Sequence, residues 1–245
     1  MRKQILVILA IFTFSMLCRG REPLQSQVLV YLFPGQGADY RQYRDLKFPE
    51  GYDTVHISYP VPEKRESMSE FAGRLIPLID QDQPYIFVGV SLGGMICTEL
   101  ADILQPRKVI LISSAKAAFE LPGRYTFMGK SHINRIVPKG LVKAGARILQ
   151  GLVEPDRKYD PATFRDMLRR KDPLYLKRTA DMIVCWDRDR YQESIFHIHG
   201  DADHTIPIEN VRYDYLIKDG SHMMVLTRAD EISKIISEIL TAPSR

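Results

Sequence analysis

The sequence predicts an α/β fold, a mostly parallel sheet of about six strands with helices on both faces, and three observations lead there. Segments 28–33, 54–59, 85–90, 109–113, 194–199 and 213–217 are short and rich in β-branched or aromatic residues. Four of them are nearly continuously apolar, as strands covered on both faces must be. The stretches between them carry apolar residues at helical spacing, so strand and helix alternate, which is the pattern of crossover connections.

The elements follow in order. The first predicted helix, 68–79, places Phe71, Leu75 and Ile79 on one face, with Pro77 marking a kink. The segments 92–104 and 232–240 repeat the amphipathic pattern. One connection differs, because residues 115–192 put 78 positions between consecutive strands. Phe164, Met167 and Leu168 share a helical face there, and so do Leu176, Ala180, Ile183 and Val184. The insertion therefore reads as a helical cap over the sheet. Its charged run, Arg169-Arg170-Lys171-Asp172, reads as a solvated face.

The 245 residues make one generous domain or two cramped ones; one is expected over 21–245, and a hydrophobic share of 45% supports a full core. The composition excludes disordered, collagen-like and disulfide-scaffold classes. The net charge of +4 suggests a nucleic acid or an acidic membrane only until its location is read. Arg2, Lys3 and Arg19 lie in the first twenty residues, and without them 31 basic side chains face 30 acidic ones. No nucleic-acid partner is expected.

Arg2-Lys3 followed by the 13-residue apolar run 5–17 has the layout of an export signal, with Gly20 closing residues 1–20. The run is shorter than the roughly 20 residues that cross a bilayer as a helix. Export to a periplasmic or extracellular space is the expectation, with no membrane span once the signal is removed. A lipid anchor on Cys18 and an uncleaved N-terminal anchor are the alternatives. After cleavage Cys97 and Cys185 remain, and buried free thiols in apolar surroundings are expected of both.

Gly89-Val90-Ser91-Leu92-Gly93 follows a buried strand and opens a helix, which is the setting of a nucleophile elbow. Flanking glycines remove the side chains that would collide with so sharp a turn. A serine that merely starts a helix is the plainer reading. A serine hydroxyl attacks only when a base takes its proton, so a histidine and an orienting acid are required. His222 follows the last predicted strand and is the expected base. His56, His197 and His199 fall within strands as core or lining residues, His132 lies in the cap, and His204 is the competitor. The segment His199-Gly200-Asp201-Ala202-Asp203 offers two acids. Asp203 is preferred, because Asp201 can simply bond its own turn. Leu92, directly after the serine, supplies one oxyanion N–H.

These three segments, the elbow, His199-Gly200-x-x-Asp203 and Gly220-Ser221-His222-Met223-Met224, resemble the signatures of the α/β-hydrolase family across nearly all of residues 28–240. The resemblance implies an acyl-enzyme mechanism with Ser91 attacking, His222 moving the proton and Asp203 orienting it. It also maps the second oxyanion amide onto Gln36, in the loop Phe33-Pro34-Gly35-Gln36-Gly37, where Pro34 stands in place of the family's usual histidine. A plain glycine turn is the alternative there. Two further departures are the missing hairpin before Val28 and the 18 residues between Asp203 and His222, too few for a full helix.

The expected function is therefore a serine hydrolase acting on a small acyl substrate, a carboxylic ester or a related thioester, amide or peptide, with no cofactor and no metal. A catalytically silent binding module is the rival from another class. A metal site at His197, His199, Asp201 and Asp203 is the weaker alternative, since no helical histidine pair accompanies it. Phe127, Met128, Met167, Met182 and Trp186 either line an acyl pocket or glue the cap to the core, and the second is the more common role. Arg41 and Arg44 either greet an acidic substrate or are solvated.

Overall fold

Alternation along β1 (Val28–Phe33) decides the layering: Tyr31 and Phe33 point into one core, Val30 and Leu32 into the other. The computed structural model describes residues 27–153 and 158–242, so the export signal expected at 1–20 lies outside the described residues. Further strands are β2 (Tyr52–His56), β3 (Tyr85–Val90), β4 (Val109–Ile112), β5 (Ile195–Gly200) and β6 (Tyr215–Ile217). All pair in parallel in the order β2-β1-β3-β4-β5-β6. The order turns back after the first two strands, so crossovers fall on both faces of the sheet.

Helices α1 (Met68–Leu75) and α2 (Leu92–Leu104) cover one face, where Phe71, Leu75, Leu92 and Ile96 meet Tyr31, Phe33, Phe87 and Leu111. Ser67 and Glu70 form a reciprocal capping box at the start of α1. Its end tightens into a 3-10 turn over Ile76–Leu78 that contains Pro77, the kink the sequence predicts. The connection between β4 and β5 holds α3 (Gly123–Ser131), α4 (Ile133–Ile136), α5 (Lys139–Val153), α6 (Pro161–Arg170) and α7 (Pro173–Val184). Asp160 and Asp172 N-cap α6 and α7, each followed by proline at the first helical position. After β6 come α8 (Met224–Thr227) and α9 (Ala229–Thr241). Ile232, Ile236 and Ile239 of α9 close the second face over Val30, Val88, Ile110 and Ile198.

The six-strand sheet is the one expected, with shifted boundaries at its edges. β2 runs from Tyr52 to His56 rather than over 54–59, because register with β1 starts at Val28 opposite Tyr52. His56 is consequently exposed on an edge strand and is not a core residue. β6 is three residues long, since Asp214 turns its carboxylate back to the His197 N–H. Between β5 and β6 a 3-10 turn, Ile208–Asn210, stands where a longer chain would place a helix. Both cysteines are free thiols, but only Cys97 is buried as expected; Cys185 is half-buried, its Sγ beside Asp181 and Arg135 at 3.7 and 3.5 Å rather than in apolar surroundings.

Candidate active site

Parallel strands deliver their carboxyl ends to one edge of the sheet, and the loops after β1, β3, β5 and β6 meet there. Ser91 sits between β3 and α2 with φ 52° and ψ −120°, a left-handed conformation that costs a non-glycine residue on the order of 1–3 kcal/mol. The turn is held at both peptide groups. The Ser91 N–H donates to Ile112 O at 3.2 Å, and Ser91 O accepts from Gly94 N, Met95 N and Ser114 Oγ at 2.9, 3.2 and 2.7 Å. The flanking glycines are dictated by space. A Cβ on Gly93 would lie 1.9 Å from Phe33 O, and one on Gly89 would lie 2.5 Å from the Gly93 carbonyl carbon.

Loops after β5 and β6 touch through a second close approach. A Cβ on Gly200 would stand 2.1 Å from Gly220 O, and that same carbonyl accepts from Ala202 N at 3.0 Å. This contact brings Asp203 against His222. Asp203 Oδ2 is 2.7 Å from His222 Nδ1, while Oδ1 accepts from the Thr205 and Ile206 amides at 2.8 and 2.9 Å. His222 Nε2 lies 2.9 Å from Ser91 Oγ. Burial opposes ionisation of Asp203, which is 3% exposed. The His222 ring, followed by His199 and the Ile206 amide, outweighs it and holds the carboxyl below its ordinary 3.8. An ionised Asp203 can only accept, so His222 Nδ1 carries its proton and Nε2 is left to accept from the Ser91 hydroxyl. Such an array can remove a hydroxyl proton and stabilise the resulting imidazolium.

Asp201 plays a different part. It is exposed, and its Oδ1 accepts from Asp219 N at 2.6 Å, tying the two loops together. His204 is exposed, and its carbonyl accepts from Arg124 at 3.3 Å. His197 and His199 are fully buried and bonded to each other, with His199 Nδ1 3.1 Å from His197 Nε2. Their remaining nitrogens face carbonyls, Arg212 O at 3.0 Å and Ile206 O at 2.9 Å. Among the described residues no cluster of three or more His, Cys, Asp or Glu is arranged to hold a metal ion.

The loop after β1 passes close to the serine. A Cβ on Gly35 would be 3.5 Å from Ser91 Cβ. Among the described residues neither the Gln36 nor the Leu92 amide meets an acceptor. The loop is pinned by groups that no motif announces. Tyr43 Oη donates to Phe33 O at 2.6 Å, Tyr59 Oη donates to Pro34 O at 3.0 Å, and Gly35 N donates to Gln42 Oε1 at 3.4 Å. The Pro34 carbonyl, which proline keeps, is what Tyr59 grips. The Gln36 side chain is taken by the cap, Nε2 donating to Leu176 O and Thr179 Oγ1 at 3.0 and 2.9 Å.

Arg41 and Arg44 are each paired with carboxylates rather than merely solvated. Arg41 bridges Asp39 and Asp166, and Arg44 reaches Asp45 and Asp160, so both fasten the β1 loop to α6. Met167, Met182 and Trp186 are buried as packing residues, and Trp186 Nε1 donates to Glu99 Oε1 on α2 at 2.7 Å. Phe127 is 68% exposed. The charged run 169–172 is divided. Arg169 and Arg170 are exposed and paired with Asp166, whereas Asp172 is the α7 cap.

Comparison with known proteins agrees with this architecture. The model of the alpha/beta hydrolase family matches residues 12–235. The chain is 25% identical over 244 residues to the AMB antimetabolite synthetase AmbE of Pseudomonas aeruginosa, which covers 88% of this chain and 11% of that protein. The chain thus spans about a tenth of that relative's length. An enol-lactonase from Burkholderia xenovorans superposes with a TM-score of 0.65 at 17% identity, over 87% of this chain and 91% of that one. A thermophilic esterase from Thermogutta terrifontis gives 0.61 at 15%, over 88% and 90%. At such identities the structural likeness speaks for the fold, and the family model, matching most of the sequence, speaks for descent. The chain belongs to the alpha/beta hydrolase family.

Proposed function

We propose that the protein is a serine hydrolase that cleaves carboxylic esters or related acyl compounds through an acyl-enzyme intermediate. One observation carries the reading: an unbroken hydrogen-bond path from Ser91 Oγ through His222 to Asp203, each link under 3 Å. In the proposed reaction Ser91 Oγ attacks the carbonyl carbon while its proton passes to His222 Nε2. Asp203 holds the ring in the productive tautomer and stabilises its charge. The oxyanion is received by the Leu92 and Gln36 amides. His222 then protonates the leaving group, and a water activated by the same ring releases the acid and frees Ser91. The fold also carries an enol-lactonase and an esterase, so an oxygen ester is the acyl class to test first. Export, with the segment 1–20 removed, is part of the same proposal, and the mass of the mature N-terminus tests it.

Fluorophosphonate treatment with peptide mapping is the decisive experiment. The expected adduct is on Ser91, and Ser91→Ala should eliminate both the adduct and turnover of a short p-nitrophenyl ester. Turnover undiminished in that variant would falsify the assignment.

A further inference from the structure

The net charge of the whole chain conceals a local imbalance in the cap. Residues 121–153 contain Arg124, Lys130, Arg135, Lys139, Lys143 and Arg147 with no Asp or Glu, leaving 28 basic and 30 acidic residues elsewhere. The same stretch holds Phe127, Ile133, Ile136, Leu141 and Ile148, which are 68, 49, 80, 63 and 67% exposed. Ile136, Ile148 and Leu141 are the three most exposed aliphatic side chains among the described residues.

Helix α5 shows why this is unusual. Its inner face is already satisfied, with Val142 and Ala146 packed against Leu168, Tyr175 and Leu176. The outer face of a helix packed on one side is ordinarily polar, yet here Leu141, Ala144 and Ile148 occupy it. Three of the six cations are engaged, Arg124 by the carbonyls of His204 and Thr205, Arg135 by Asp181 and Lys143 by the carbonyls of Arg169 and Lys171. Lys130, Lys139 and Arg147 stand exposed with no acidic partner among the described residues. Exposed apolar side chains beside cations that meet no acidic partner among the described residues mark a surface suited to an apolar phase with negative charge at its boundary. A second copy docked symmetrically would set this positive face against itself.

We propose that the outer face of α3, α4 and α5 docks the protein on an anionic lipid bilayer. The aliphatic side chains enter the headgroup boundary, and the three cations pair with lipid phosphates. This holds whether or not Ser91 is the nucleophile, so Ser91→Ala should bind vesicles unchanged.

The test uses the full chain carrying Ile136→Trp, with vesicles of phosphatidylcholine alone or mixed with phosphatidylglycerol. The native Trp186 is 6% exposed, so the new indole dominates any change. Emission should move to shorter wavelength and be quenched by brominated acyl chains only with the anionic vesicles. Adding Lys139→Gln and Arg147→Gln should weaken partition about thirtyfold, at roughly fivefold per cation. Leu141→Ser with Ile148→Ser should abolish the shift while hydrolysis of a water-soluble ester is retained. An indole that stays unshifted while the protein sediments with vesicles would overturn the proposal, since another segment would then be binding. So would equal binding to neutral vesicles, retention by an acidic polypeptide but not by lipid, or a patch whose substitutions alter only self-association.

Discussion

Asp203 and Asp201 stand two positions apart on one loop, and their surroundings separate them. Asp203 is buried with one oxygen on His222 and the other on two amides, whereas Asp201 is exposed and bonds a single amide. Under the proposed mechanism Asp203→Asn loses the tautomer that lets His222 accept, and kcat should fall by roughly 10⁴. Asp201→Asn should change kcat by less than about tenfold, because only a loop contact is weakened. A reversed order in the ester assay reassigns the acid. The buried pair His197 and His199 makes a second prediction. Two neutral rings supply two N–H groups for three contacts, yet burial, the leading cause, holds both rings below their ordinary 6.5. Below pH 6.5 the unfolded rings take up protons that the folded ones resist, so stability falls as pH falls. Each ring contributes up to about 1.4 kcal/mol per pH unit in that window. His197→Gln should flatten the slope of unfolding free energy between pH 6.5 and 5 by about that amount. An unchanged slope means the ring titrates alike in both states.

At the scale of the element, the elbow shows what glycine is for. Gly93 starts α2 directly against the end of β1, and its missing Cβ is what lets the helix lie that close. Gly93→Ala should therefore cost about 3 kcal/mol in urea denaturation, the upper end of overpacking, because the obstacle is backbone. A loss below about 1 kcal/mol would mean the helix start can shift. The buried strands were legible because both faces must be apolar, leaving β1, β3, β4 and β5 no other pattern. The edge was less so. Thr54, Val55, His56, Ile57, Ser58 and Tyr59 alternate as well as β2 does, and only pairing with Val28 fixes where the strand starts. Ser91, Asp203 and His222 were readable because each sits in a local turn with its own spacing. Tyr43, Tyr59, Gln42 and Thr179 were not, since a residue that braces a loop from a distant element leaves no local pattern.

For the whole molecule, the question is how an inserted cap and a sheet edge act as one body. The β1 loop meets the cap twice. Arg41 and Arg44 reach Asp166 and Asp160 of α6 and its cap, and Gln36 reaches Leu176 and Thr179 of α7. The ion pairs are partly exposed and contribute little stability individually. The Gln36 contact is different, because the same residue carries an amide proposed to receive the oxyanion. Gln36→Ala retains that amide but releases it from α7. Under the proposed mechanism kcat should fall roughly tenfold with KM nearly unchanged, short of the 10²–10³ that follows loss of a donor. Thr179→Val removes one acceptor from the other side of the contact and should lower kcat by less. If the two act through one hydrogen bond, adding Thr179→Val to Gln36→Ala should produce no further loss. Fully additive losses in the double variant would mean that the cap and the loop influence turnover independently, and that the side chain of Gln36 serves only to hold the cap in place.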